Sequence, residues 1–166
     1  MDGTSGLALM LDGLKQLGFV NVIGKQPKRL TEGYGLHSHI VEGLAQEGVE
    51  LIVTVDVGIT NFAAVERARE LGVEVIVTDH HQVVDKIPNA VAVVNPNRLE
   101  DTSGLGYLCG AGVAFYLLRA LKRVLVDQKL ISENKLNLQS LLDCFVIATL
   151  TDMVPLVADN RILVRL

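Results

Sequence analysis

Residues 50–58 read ELIVTVDVG, and residues 73–81 read VEVIVTDHH. Each is a short, nearly unbroken run of apolar, mostly β-branched side chains that breaks off in a carboxylate. Strands buried on both faces of a parallel sheet have this pattern. Between them, TNFAAVERAREL at 60–71 has the spacing of an amphipathic helix, and Gly72 ends it. VAVVNP at 91–96 supplies a third strand, stopped by Pro96. Strand, helix, strand in this order predicts an α/β fold, a parallel sheet with helices on both faces.

Outward from this centre the pattern turns helical. Residues 5–17, SGLALMLDGLKQL, predict a helix with Thr4 or Ser5 as its cap, and FVNVIG at 19–24 then reads as a strand. TEGYGL at 31–36 is a glycine-punctuated loop before a helix from about Ser38 to Gln46. Beyond the third strand, helices near 107–128 and 138–151 are joined by the polar LISENKLN at 130–137, predicting a C-terminal helical layer on a single α/β domain over 1–166.

Composition bounds the chemistry. At 166 residues and 49% hydrophobic, the chain has a core to bury and is not disordered. Aromatics make up only 4%, so Val, Leu, Ile and Ala must fill that core. Fifteen Lys and Arg against nineteen Asp and Glu leave a net charge of −4, which argues against gripping nucleic acid by charge alone. Cys109 and Cys144 are too few and too embedded in apolar sequence for a disulfide scaffold, so a reducing, cytoplasmic setting is expected. No secretory signal is legible. The longest apolar stretch, Gly104 to Leu118, stops at Arg119, short of the ~20 residues a membrane span needs.

The polar residues that interrupt the strands sit at their carboxyl ends, where open parallel sheets place their ligands. Asp56 ends one strand; Asp79, His80 and His81 end the next. A lone Asp at a strand end serves equally as a turn former or helix cap. An Asp-His-His triplet is costly to bury without compensation and points to a site. Asp152 closes the apolar helix LLDCFVIATLTD, where a carboxylate opposes the helix dipole and a cation would offset it. Asp2, before Gly3, reads alone as a favourable charge at a helix start. Together Asp2, Asp56, His80 and Asp152 offer three carboxylates and one imidazole, a donor set suited to Mn²⁺ or Mg²⁺ rather than Zn²⁺. His37 and His39 read as surface histidines, and both cysteines as packing residues.

DGTSG at 2–6, EGYGL at 32–36, VTVDVGI at 53–59, TDHH at 78–81, VVNPN at 93–97, GAGVAF at 110–115 and TLTDMVPLVADNR at 149–161 form an ordered set. In that order and spacing the sequence resembles the DHH phosphoesterase superfamily, and within it the RecJ-type single-strand-specific 5′ exonucleases. The resemblance implies Asp2, Asp56, His80 and Asp152 as metal ligands, with Asp56 bridging two Mn²⁺ or Mg²⁺ ions. It also implies a catalytic pair: His81 contacting the scissile phosphate, and Asp79 holding a histidine in orientation. Asn95 and Arg161 become candidate substrate contacts, Asn95 equally a former of the Asn-Pro turn and Arg161 equally a partner of Asp159. Small residues in GAGVAF serve either a phosphate at a helix start or tight packing.

Only the final Asp-Gly of the family's first motif is matched, by Asp2-Gly3. The family's DHHA1 and oligonucleotide-binding domains have no counterpart in these residues, so weak or absent catalysis by this stretch alone is expected. The implied reaction is metal-assisted hydrolysis of single-stranded DNA from the 5′ end, in DNA repair and recombination, with replication and repair proteins as partners and no membrane. Two other readings stay open. One is a sister DHH hydrolase of short oligonucleotides, cyclic dinucleotides or pyrophosphate; the other is a non-catalytic DHH binding module.

Overall fold

The computed structural model describes residues 1–27, 33–83 and 86–165, and Thr31 and Glu32 of the TEGYGL loop lie outside them. The chain divides into two compact units. Gln26–Gly106 forms an α/β unit, while Met1–Lys25 joins Tyr107–Leu166 in a helical unit. The first helix therefore belongs with the C-terminal helices, a grouping that periodicity along the chain does not reveal.

In the α/β unit three parallel strands lie in the order β1 (Leu51–Val55), β2 (Glu74–Thr78) and β3 (Ala92–Val94). Val55 pairs with Thr78 and Thr78 with Val94, so the three carboxyl ends are level. Helix α2 (Ser38–Gln46) packs on α3 (Phe62–Glu70), and α3 on β2. Their shared core joins Val41 and Leu44 of α2, Val65 and Ala68 of α3, and the inward side chains Ile52, Val75 and Val77. Alternation along each strand puts these last three on one face, and burying such a side chain contributes roughly 1.5–3 kcal/mol.

The helical unit packs α1 (Asp2–Leu17) against α4 (Gly110–Asp127) and α5 (Leu142–Thr151), with α6 (Ala158–Leu163) on α5. A 3₁₀ turn, Leu138–Leu141, leads into α5. The rings of Phe115 of α4 and Phe145 of α5 meet at a tilt of 56° with centroids 5.6 Å apart, and Leu9, Leu118 and Phe145 are fully buried. Among the described residues no helix is long and apolar enough to cross a membrane. Both cysteines are free thiols.

Two expectations are corrected. FVNVIG at 19–24 forms no strand. Helix α1 closes at Gly18, whose N–H reaches Lys15 O while that of Phe19 reaches Leu14 O, and among the described residues no strand pairs with the segment beyond. Phe19, Val20 and Ile23 are exposed there, so β-propensity is present without a ladder. Helix α1 also begins earlier than its periodicity predicts, at Asp2 with Met1 as cap, which leaves Thr4 and Ser5 inside it. Periodicity does not predict helix α6, because six residues carry too little of it to be read.

Candidate metal centre

Strand register lines up the polar residues. Asp56, Asp79 and Asn95 each follow the last residue of a strand. The ladder continues through Asp56 N–H to Thr78 O (3.1 Å) and Asp79 N–H to Val94 O (3.1 Å). Beneath them, buried Thr78 donates its hydroxyl to Thr54 O, and Thr54 donates its own to Val57 O at 2.7 Å. The chain then turns sharply: Asp56 has φ 63 and Gly58 φ 119. A Cβ on Gly58 would stand 2.7 Å from Thr54 Oγ1 and 2.9 Å from Val77 Cγ1, so only glycine fits. Left-handed backbone at a non-glycine residue is stored strain, and here it carries the Asp56 carboxylate to the strand end.

Asp79 is 1% exposed and organises the segment. Its Oδ2 accepts from Ile59 N–H at 2.9 Å. Its Oδ1 accepts from His80 N–H (2.8 Å), His81 N–H (3.2 Å) and His81 Nδ1 (2.6 Å). A carboxylate can only accept, so His81 carries a proton on Nδ1, and its Nε2 is left for solvent or a ligand. The His81 side chain is 60% exposed, whereas those of His80 and Asp56 are 13% and 18% exposed.

One carboxylate oxygen of Asp56 and one ring nitrogen from each of His80 and His81 lie within 4.8 Å of one another. Asp56 Oδ1 is buried, accepts no hydrogen bond, and stands 3.1 Å from His80 Nε2. That spacing is a fit test for a cation. Metal–ligand bonds of about 2.1 Å at right angles put neighbouring donor atoms about 3 Å apart. A buried carboxylate oxygen that accepts no hydrogen bond is otherwise expensive. The residues fit a hard divalent ion with mixed oxygen and nitrogen ligation.

In the helical unit Asp2 is not merely a charge at the start of its own helix. Buried to 4% exposure, it accepts from Gly110 N–H at 2.6 Å through Oδ2 and from Ala111 N–H at 2.8 Å through Oδ1. It thus caps α4, more than a hundred positions away. Gly112 N–H goes to Cys109 Sγ at 3.4 Å, and Gly112 itself packs against Leu108 and Phe145. The first N–H groups of GAGVAF are taken by the protein, so packing accounts for its small residues. Burial, then the Asp2 charge, push the Cys109 thiol up to about 12. Asp152 caps the C-terminus of α5, exposed, with a carboxylate oxygen within 4.8 Å of one on Asp2. Two like charges that close favour a cation beside them.

The remaining candidates are placed as follows. Both polar atoms of Asn95 are engaged: Nδ2 donates to His81 O (2.9 Å), and Oδ1 accepts from Asn97 N–H (2.8 Å). Asn97 donates its amide to His80 O. Arg161 is exposed on α6, and Asp159 is held not by it but by the Tyr116 hydroxyl. Buried Asn160 ties Tyr107 O and Pro155 O, fixing the connection after Asp152. His37 and His39 stack on each other at 5.7 Å, and neither they nor the cysteines join a cluster of three ligand-type groups among the described residues. Sequence reasoning does not single out Thr54, Thr78 or Asn97. The repeated VT before each acid and the second Asn of VVNPN are the available signals.

Carboxylate and imidazole gathered at the level carboxyl ends of a parallel sheet, with an oxygen open to a cation, define an α/β protein with a divalent-metal site. The chain belongs to the DHH family: the profile of the DHH family, N-terminal domain, matches residues 1–149. It is 44% identical over 165 residues to the single-stranded-DNA-specific exonuclease RecJ of Escherichia coli (strain K12), covering 98% of this chain and 29% of that protein. To the RecJ of Bacillus subtilis (strain 168) it is 36% identical, covering 99% of this chain and 19% of that one. The chain therefore spans less than a third of the length of these relatives. A crystal structure of exonuclease RecJ bound to manganese superposes with a TM-score of 0.83 at 38% identity, over 99% of this chain and 39% of that chain. RecJ from Thermus thermophilus in complex with Mn²⁺ gives 0.75 at 34% identity, over 98% and 22%.

Proposed function

We propose that this chain supplies the metal-binding domain of an exonuclease that hydrolyses phosphodiester bonds in single-stranded DNA from the 5′ end. The observation that carries the reading is the buried Asp56 oxygen facing His80 Nε2 at 3.1 Å, in a chain similar throughout to single-stranded-DNA-specific exonucleases. Asp56 and His80 are the proposed core of the ligand set, for Mn²⁺ or Mg²⁺. Asp2 and Asp152 are assigned to it on the sequence resemblance alone. A divalent ion there supplies Lewis-acid polarisation of a phosphoryl group and lowers the pKa of water.

The chain's own residues do the rest. Asp79 fixes the ring of His81 through Nδ1, so Nε2 is the atom that meets the phosphate: it donates when protonated and accepts when not. Arg161 is proposed as a further phosphate contact. The two amide atoms of Asn95 serve the His81 carbonyl and the Asn97 N–H, and in our reading substrate contact falls to His81 instead. A net charge of −4 argues against this stretch gripping nucleic acid by charge alone. Action on DNA in the cytoplasm, alongside replication and repair proteins, follows from the same reading.

Mn²⁺-dependent nucleotide release from end-labelled single-stranded DNA tests it, in a protein that carries this domain together with the further length its relatives have, with His80→Ala beside the unsubstituted form. Release from the 5′ end that vanishes in the variant is expected. Cleavage of dinucleotides or pyrophosphate but not of long strands would move the protein to a sister branch, and no hydrolysis of any of these would leave a binding module.

A further inference from the structure

The His80–His81 peptides are held from two sides. Asp79 Oδ1 takes both N–H groups, and two asparagine amides after β3 take both carbonyls, Asn95 that of His81 and Asn97 that of His80. Asn97 N–H donates to Asn95 Oδ1, so the Asn-Pro-Asn turn is already closed without the Asn97 side chain. The Asn97 amide is free to serve His80 instead. Space for it is provided by Gly106, where a Cβ would stand 2.7 Å from Asn97 Oδ1. A Cβ at 106 leaves no room for Asn97 Oδ1 where it stands, so the amide that donates to the His80 carbonyl has to shift.

We propose that Asn97, admitted by the missing side chain at Gly106, is a positioning residue that sets His80 for cation binding. The inference rests on the reading of His80 as a ligand. Fixing the carbonyl of residue 80 fixes its peptide plane, and with it the direction in which the imidazole leaves the backbone. Groups that orient metal ligands from behind are typically worth about 10–100-fold in metal affinity. Asn97→Asp keeps the size and turn preference of the residue but turns an acceptor toward the carbonyl, and Gly106→Ala displaces the amide without altering it.

The test is Mn²⁺ affinity, measured by calorimetry and by the electron paramagnetic resonance signal of free Mn²⁺, with circular dichroism confirming the fold. Asn97→Asp and Gly106→Ala are each expected to weaken binding about tenfold or more. In an Asn97→Ala background, Gly106→Ala is expected to change affinity by less than about twofold, because the two act through one contact. A general loss of packing would lower thermal stability and give independent effects instead. Unchanged affinity in Asn97→Asp and Gly106→Ala, with binding lost in His80→Ala, would overturn the inference and leave the metal reading intact. Unchanged affinity in His80→Ala would overturn both.

Discussion

Asp79→Asn replaces one of two acceptor oxygens with a donor at a site where four N–H groups converge. The buried amide has two orientations. With its nitrogen toward the histidines, it opposes the three donors now served by Oδ1. With its nitrogen toward Ile59, it orphans a single N–H, at a residue only 2% exposed. The second is cheaper and sets the magnitude. An unsatisfied buried N–H costs about 1–3 kcal/mol, and each remaining bond loses the extra strength of a charged acceptor, about 1 kcal/mol. A loss of about 4–6 kcal/mol is expected, a large share of a domain stability of about 5–15 kcal/mol. Urea unfolding followed by far-ultraviolet circular dichroism measures it. Asp101→Asn serves as reference, because that exposed carboxylate bonds only Ser103 and its loss is expected to cost under about 1 kcal/mol. If Asp79→Asn cost no more than Asp101→Asn, Asp79 would not be the acceptor that organises the turn.

Two further predictions concern the helical unit. Asp2→Ala removes both acceptors from the start of α4 and is expected to cost about 2 kcal/mol even in chelator, whereas a residue acting only as a metal ligand would show no loss there. Cys109 has its folded pKa raised from 9.0 to about 12, so its contribution to stability is complete below pH 9 and is lost as pH rises toward 12. Between about pH 7.5 and pH 10 the unsubstituted protein is expected to lose about 1.4 kcal/mol more than Cys109→Ala, and equal losses in denaturant titrations at the two pH values would refute this.

The strands and their terminal acids are legible because buried parallel strands leave a one-dimensional trace: Ile52, Val75 and Val77 are apolar, and what breaks the run at Asp56 and Asp79 must be there for a reason. Pairing leaves no such trace. FVNVIG has the residues of a strand, yet a strand exists only against a neighbour, and the pattern of one segment cannot say whether one is present. The cap that Asp2 gives α4 is hidden for a related reason, since a carboxylate and the N–H groups it serves lie in distant stretches with nothing local to link them. Asn97 escapes notice inside its motif, because asparagine beside proline has an adequate explanation as a turn.

The helical unit is assembled from two separated stretches of chain, with residues 26–106 as an insertion between them. During synthesis, at about 5–20 residues per second, α1 leaves the ribosome several seconds before α4 exists to receive it. The inserted α/β unit has its three described strands by residue 94, so it can mature first while α1 waits with its apolar stripe uncovered. Order of maturation thus runs from the middle outward: the His80 segment is in place early, whereas Asp2, made before β1, β2 and β3, finds its helix late. Translation pauses or chaperone depletion should therefore harm α1 before they harm the sheet.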